Sequence, residues 1–85
     1  MTNFKQIIAK QISEITNIDI KTLESYIEIP KDTKNGDYAF PCFRLAKELK
    51  KAPPIIAQEI KDKIELTKDI EKVEVVGGYL NFYIN

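Results

Sequence analysis

Two sets of side chains in this 85-residue sequence have types and spacing that could do chemistry. The first is Tyr79, Asn81 and Tyr83, at every second position near the end of the sequence. Aromatic faces stack on nucleobases, and a carboxamide both donates to and accepts from a base edge. An outward stripe of this kind therefore suits unpaired nucleotides. Such stripes often cover a sheet or meet another domain instead, and on spacing alone that reading leads. The second set is a basic ridge of Arg44, Lys47 and Lys51, with Lys31 and Lys34 in the loop before it. Such cations meet phosphates, or simply solubilise a helix face.

Other chemistry finds little support. The sequence has no histidine, so Ser-His and Cys-His nucleophile arrangements and histidine–metal sites are excluded. It also lacks a glycine-rich phosphate loop and a dinucleotide fingerprint. The single Cys42 falls on the expected inner face of a helix and reads as a buried core thiol. Asp37, between a turn glycine and an expected helix start, reads as a helix cap. Acidic residues elsewhere sit at helical spacing from cations, as Glu48 does from Arg44; such solvated pairs are worth about 0.3–0.5 kcal/mol each.

The elements that must position these residues follow from periodicity. Phe4, Ile7, Ile8, Ile12 and Ile15 form one helical stripe, opened by the capping-box spacing Asn3–Gln6 and closed at Asn17. Asp19 caps a short turn that runs to Leu23. Tyr26 to Pro30 alternates like a strand, with Ile27 and Ile29 on one face, and Pro30 confines it to an end or an edge. A polar loop turns at Asn35-Gly36. A second helix is expected from about Ala39 to Lys50, lined by Ala39, Cys42, Phe43, Ala46 and Leu49. Ala52-Pro53-Pro54 ends it and opens a third, with Ile56, Ala57, Ile60 and Ile64 inward. Gly77-Gly78 is a two-residue hairpin turn that pairs Val76 with Tyr79, Val75 with Leu80, Glu74 with Asn81 and Val73 with Phe82. That register puts the apolar pairs on one face, whereas a slip of one residue would mix the faces.

The expected fold is α+β: a small antiparallel sheet of about three to four strands, including the C-terminal hairpin, with about three helices on one face. Residues 1–85 make a single domain. Hydrophobic residues at 44% and charged residues at 31% are ordinary globular values. The zero net charge argues against a strong, non-specific polyanion binder. There is no signal-peptide pattern and no apolar run of membrane-spanning length, and one thiol fits a reducing, cytoplasmic setting. The last residues coincide with a strand end, which suggests a fragment cut at a domain boundary.

Three segments together resemble a known family: Asn35-Gly36-Asp37-Tyr38-Ala39; then Leu45-Ala46-Lys47 with Ala52-Pro53 and Ile56-Ala57-Gln58-Glu59-Ile60; and finally Val73 to Phe82 through Gly77-Gly78-Tyr79-Leu80-Asn81. In order and spacing, from about Ile27 to Ile84, they resemble the N-terminal additional domain of arginyl-tRNA synthetases. The resemblance implies an antiparallel sheet with helices on one side. It also implies contact with the D-loop at the outer corner of tRNA(Arg), commonly its twentieth nucleotide. Tyr79 would take the aromatic position that packs on that base and Asn81 the amide position that hydrogen-bonds it; Tyr83 inherits no role.

Departures limit the transfer. The family often has Phe where Tyr79 stands, and a small polar pair where this chain has Phe40-Pro41. The HIGH-like and KMSKS-like signatures are missing, so ATP, arginine and aminoacyl transfer are expected of the rest of a parent chain, with no cofactor in this fragment. The leading expectation is a tRNA-binding accessory domain that supports arginylation by the parent. Its expected partners are tRNA(Arg) and the parent's catalytic domain, with Lys47 and Lys51 as backbone contacts and the fragment itself monomeric and inactive. The rival is a protein or inter-domain module with no nucleic-acid contact. A free-standing small enzyme is disfavoured by the missing nucleophile, base and metal ligands.

Overall fold

Helix α1, Phe4–Thr16, starts where its end groups are satisfied. The Asn3 Oδ1 accepts from the Gln6 N–H at 3.2 Å. At the other end Asn17 turns left-handed at φ 63° and its N–H donates to the Ser13 carbonyl. In this computed structural model, which describes residues 3–84, α1 buries Ile8, Ala9 and Ile12. Helix α2, Ile20–Tyr26, begins at Asp19, whose Oδ2 accepts from the Thr22 N–H at 3.1 Å. Helix α4, Pro53–Lys63, has its prolines at the first two positions, where a missing N–H costs nothing, and buries Ile56, Ala57 and Ile60. Between α2 and α4 lies the four-residue helix α3, Ala46–Leu49, which Lys50 ends at φ 55°.

Strands β1 (Tyr38–Pro41), β2 (Ile70–Val76) and β3 (Tyr79–Ile84) form an antiparallel sheet in the order β1-β3-β2. The hairpin register is the expected one in all four pairs, from Val76 with Tyr79 to Val73 with Phe82. Phe40, Leu80, Phe82, Val73 and Ile70 join the helices' Ile8, Ile12, Leu23, Ile56 and Ile60 in one core. Each such side chain contributes roughly 1.5–3 kcal/mol by leaving water. The helices cover this inner face only, so Tyr79 and Asn81 point to the other one.

Two expected elements differ. The strand expected over Tyr26–Pro30 is not formed: α2 continues to Tyr26, and only Glu28 pairs, exchanging two 2.8 Å hydrogen bonds with Ala39. Ile27 enters the core while Ile29 is 67% exposed, so the two do not share a buried face. The helix expected over Ala39–Lys50 begins instead as β1, passes through a 3-10 turn at Cys42–Leu45 and reaches α-helix only at Ala46. Pairing of β1 with β3 supplies more than local helix preference does, and Phe43, expected inward, is half exposed. Arg44 does not pair with Glu48. Its guanidinium lies 5.3 Å from the Tyr26 ring centroid.

Candidate nucleic-acid interface

The outer face of the sheet carries two cross-strand rows: Ala39, Asn81 and Glu74, then Pro41, Tyr79 and Val76. Ala39 is too small to fill the space above it, and the chain from Glu28 to Asn35 passes over that space. The result is a groove of about 360 Å³, near the lower end of ligand-pocket volumes, roughly 300–1,000 Å³. Asn81 and Ala39 floor it. Tyr79 and Val76 form one side, and Glu28, Pro30, Lys31, Asp32 and Asn35 the other.

Asn81 was expected to face outward, and it does, but it is only 4% exposed. It stands on the middle strand at the bottom of the groove rather than on an open surface, because the 28–35 segment closes over it. Among the described residues its amide has no hydrogen-bond partner, yet no buried side-chain nitrogen or oxygen is left unsatisfied. Both amide atoms therefore retain contact with the groove. Such an amide can meet a donor and an acceptor on an incoming ligand edge.

The covering loop is held by side chains whose neighbours in space are distant in sequence. The Tyr83 hydroxyl donates to the Lys34 carbonyl at 2.8 Å and lies 3.4 Å from Glu74 Oε2. Lys72 completes the cluster, 3.0 Å from Glu74 Oε1 and 4.3 Å from the Tyr83 ring centroid. The hydrogen bond from Lys72 holds the Glu74 carboxyl below its ordinary value and raises the Lys72 ammonium above its own. Tyr83 thus has a structural place. Asp37 is not a helix cap: its carboxylate accepts from the Ile84 N–H and its own N–H donates to the Phe82 carbonyl, both at 2.8 Å. Gly36, at φ +93°, passes so close that a Cβ would stand 2.8 Å from the Phe82 carbonyl oxygen. The Asn35-Gly36-Asp37-Tyr38 run is thereby the clamp between the loop and β3.

Two carboxylates and one ammonium line the groove, a poor environment for a phosphate and an acceptable one for a neutral, flat ring. Lys47 and Lys51 lie outside it; Lys51 pairs with Glu59 at 2.8 Å. Phe43 meets Tyr79 edge to face, with ring centroids 6.0 Å apart. Glu28, Asp32, Asn35 and this role for Phe43 escape sequence reasoning; the polar run beside Pro30 is the only local signal of the loop. Cys42 is buried, and burial pushes its thiol up to about 12. Among the described residues no group of three or more Cys, Asp or Glu gathers to hold a metal ion, and no helix is long and apolar enough to cross a membrane.

The model of the arginyl tRNA synthetase N terminal domain matches residues 2–84. The chain belongs to this family. Among curated relatives, the arginine–tRNA ligase of Alkaliphilus metalliredigens is 49% identical over 86 residues, and that of Clostridium botulinum strain Hall is 47% identical over 83. These alignments cover 100% and 98% of this chain but only 15% of either relative. Among solved structures, the Thermus thermophilus arginyl-tRNA synthetase superposes with a TM-score of 0.77 at 34% identity, over 98% of this chain and 14% of that one. As an arginyl-tRNA synthetase N-terminal domain, the chain has the expected class: helices on one face of a three-stranded antiparallel sheet.

Proposed function

We propose that this chain is the tRNA-binding accessory domain of an arginine–tRNA ligase and takes an unpaired base of the tRNA(Arg) D-loop into the groove over Asn81. The observation that carries this reading is the Asn81 amide, almost enclosed on the middle strand and unpaired by any described protein group. Both amide atoms reach the groove, so water meets them in the free domain and a base edge, which offers a donor and an acceptor, can take that water's place. The Tyr79 ring beside it gives the base a stacking surface, and base–aromatic stacking is worth about 1–3 kcal/mol.

Residues 1–85 then form one domain of a longer cytoplasmic chain. The remainder supplies ATP and arginine binding and the aminoacyl transfer, while this part, monomeric and inactive alone, contacts tRNA and the catalytic domain. Zero net charge and small size make its own grip on tRNA weak.

The test is Tyr79→Ala in the full-length enzyme. Charging should require roughly 5- to 150-fold more tRNA, with the requirement for ATP and arginine nearly unchanged. Unaltered charging kinetics would remove the groove from tRNA recognition. Footprinting separates the rival, since a surface that docks another protein or the parent's own body leaves the D-loop unprotected.

A further inference from the structure

We propose that Phe43 and Arg44 form a second nucleotide subsite, beside the groove, for the nucleotide flanking the base bound over Asn81; the inference rests on the tRNA reading above. Phe43 is a large apolar side chain left 50% exposed on the 3-10 turn that follows β1. It is not stranded there. Its ring meets Tyr79 edge to face at 79° and 6.0 Å, so the aromatic surface that starts in the groove continues past its mouth. Successive bases of a single strand stack on successive aromatic side chains, and at 79° to Tyr79 the Phe43 ring would take a flanking base turned out of the plane of the first.

Arg44 supplies the charge. Its guanidinium stands 5.3 Å from the Tyr26 centroid and 5.9 Å from the Phe43 centroid, which fixes a long, flexible side chain without consuming its charge. Among the described residues it makes no ion pair, whereas Lys51 is neutralised by Glu59 and Lys72 by Glu74. An exposed, oriented and unpaired guanidinium next to an exposed ring matches a base and its phosphodiester. The groove itself carries Glu28 and Asp32 against the single cation Lys31, so it favours the base over the phosphate, and Arg44, beside the Phe43 ring that meets Tyr79, offers the nearby backbone an unpaired charge.

Binding of a tRNA(Arg) transcript to the full-length enzyme, measured from low to moderate salt, tests the subsite. Phe43→Ala should raise Kd about tenfold, and Phe43→Tyr should restore it. Arg44→Gln should reduce the slope of log K against log salt by about 0.7, the share of one single-strand phosphate, and Arg44→Lys should recover it. Lys10→Gln, on the helical side, should leave the slope alone. Phe43→Ala should still weaken binding when added to Tyr79→Ala, which distinguishes a contact from mere support of the Tyr79 ring. If Tyr79→Ala weakens binding while Phe43→Ala and Arg44→Gln do nothing, the second subsite is refuted and the groove reading stands. If all three are silent, both fall. If Phe43→Ala preserves tRNA affinity but lowers the melting temperature of the whole enzyme or its arginine-dependent ATP–pyrophosphate exchange, the ring docks on the parent's own body and the proposal is overturned.

Discussion

Replacing Asn81 by Val should separate folding from binding more sharply than any other single change. The native amide makes no hydrogen bond to a described residue, so its removal sacrifices none. Leaving a buried partner unsatisfied ordinarily costs about 1–3 kcal/mol, and here no partner remains. Valine is favoured on a central strand, on a propensity scale that spans about 1 kcal/mol. Its neighbours in the row, Ala39 and Glu74, leave room for the branched side chain. Stability of the 85-residue chain should therefore stay level or rise by up to about 1 kcal/mol, a melting shift of roughly 0 to +8 °C. Affinity of the full-length enzyme for tRNA(Arg) should meanwhile fall by roughly 5- to 150-fold, because the base loses its edge contacts to the amide. Thermal melting of the chain and equilibrium tRNA binding by the enzyme give the two numbers. A fall of several degrees in melting, with affinity unchanged, would show that Asn81 serves the fold and would refute this reasoning.

Other predictions follow from the same contacts. Gly36→Ala combines a positive φ with a 2.8 Å approach to the Phe82 carbonyl and should destabilise the chain by at least about 1–3 kcal/mol in urea melts. Tyr83→Phe removes the hydroxyl that holds the Lys34 carbonyl; it should cost about 0.5–1.5 kcal/mol and speed amide exchange in residues 31–37 relative to the core. Cys42 should resist thiol reagents at pH 8 until the chain unfolds, since burial pushes its thiol up to about 12. The sign of the linked effect on stability is fixed as well. The native state keeps a proton that the unfolded chain releases above its ordinary value of 9.0, so this contribution is complete below that pH and is lost as the pH rises toward 12.

What could be read from the sequence divides along the range of the forces involved. The C-terminal hairpin was legible because one Gly-Gly turn and one alternation act on adjacent residues and agree in a single register. The caps at Asn3, Asn17 and Asp19 were legible for the same reason, each reaching three or four positions. Strand β1 was not. Ala39, Cys42, Phe43, Ala46 and Leu49 have helical spacing, and what makes Tyr38–Pro41 a strand is pairing with β3, about forty residues away in sequence. Asp37 misled for a similar reason: its partner, the Ile84 N–H, lies 47 positions on. At the candidate site the outward direction of Tyr79 and Asn81 was visible in the alternation. The enclosure of Asn81 was not, because it depends on a loop held down by Tyr83 and Asp37 through long-range hydrogen bonds. Only once that loop is in place does a flat aromatic–amide stripe become a groove with an unpaired amide at its base.

The groove's proposed occupancy is tested most directly by a double-mutant cycle across it. Affinity for tRNA(Arg) would be compared between the full-length enzyme and its Asn81→Val variant, using transcripts that carry an abasic site at each D-loop position in turn. At one position the base and the amide should prove coupled: removing either should weaken binding, and removing the second should add less than its separate effect, by at least about 1 kcal/mol. Strict additivity at every position of the D-loop would mean that no base there meets Asn81.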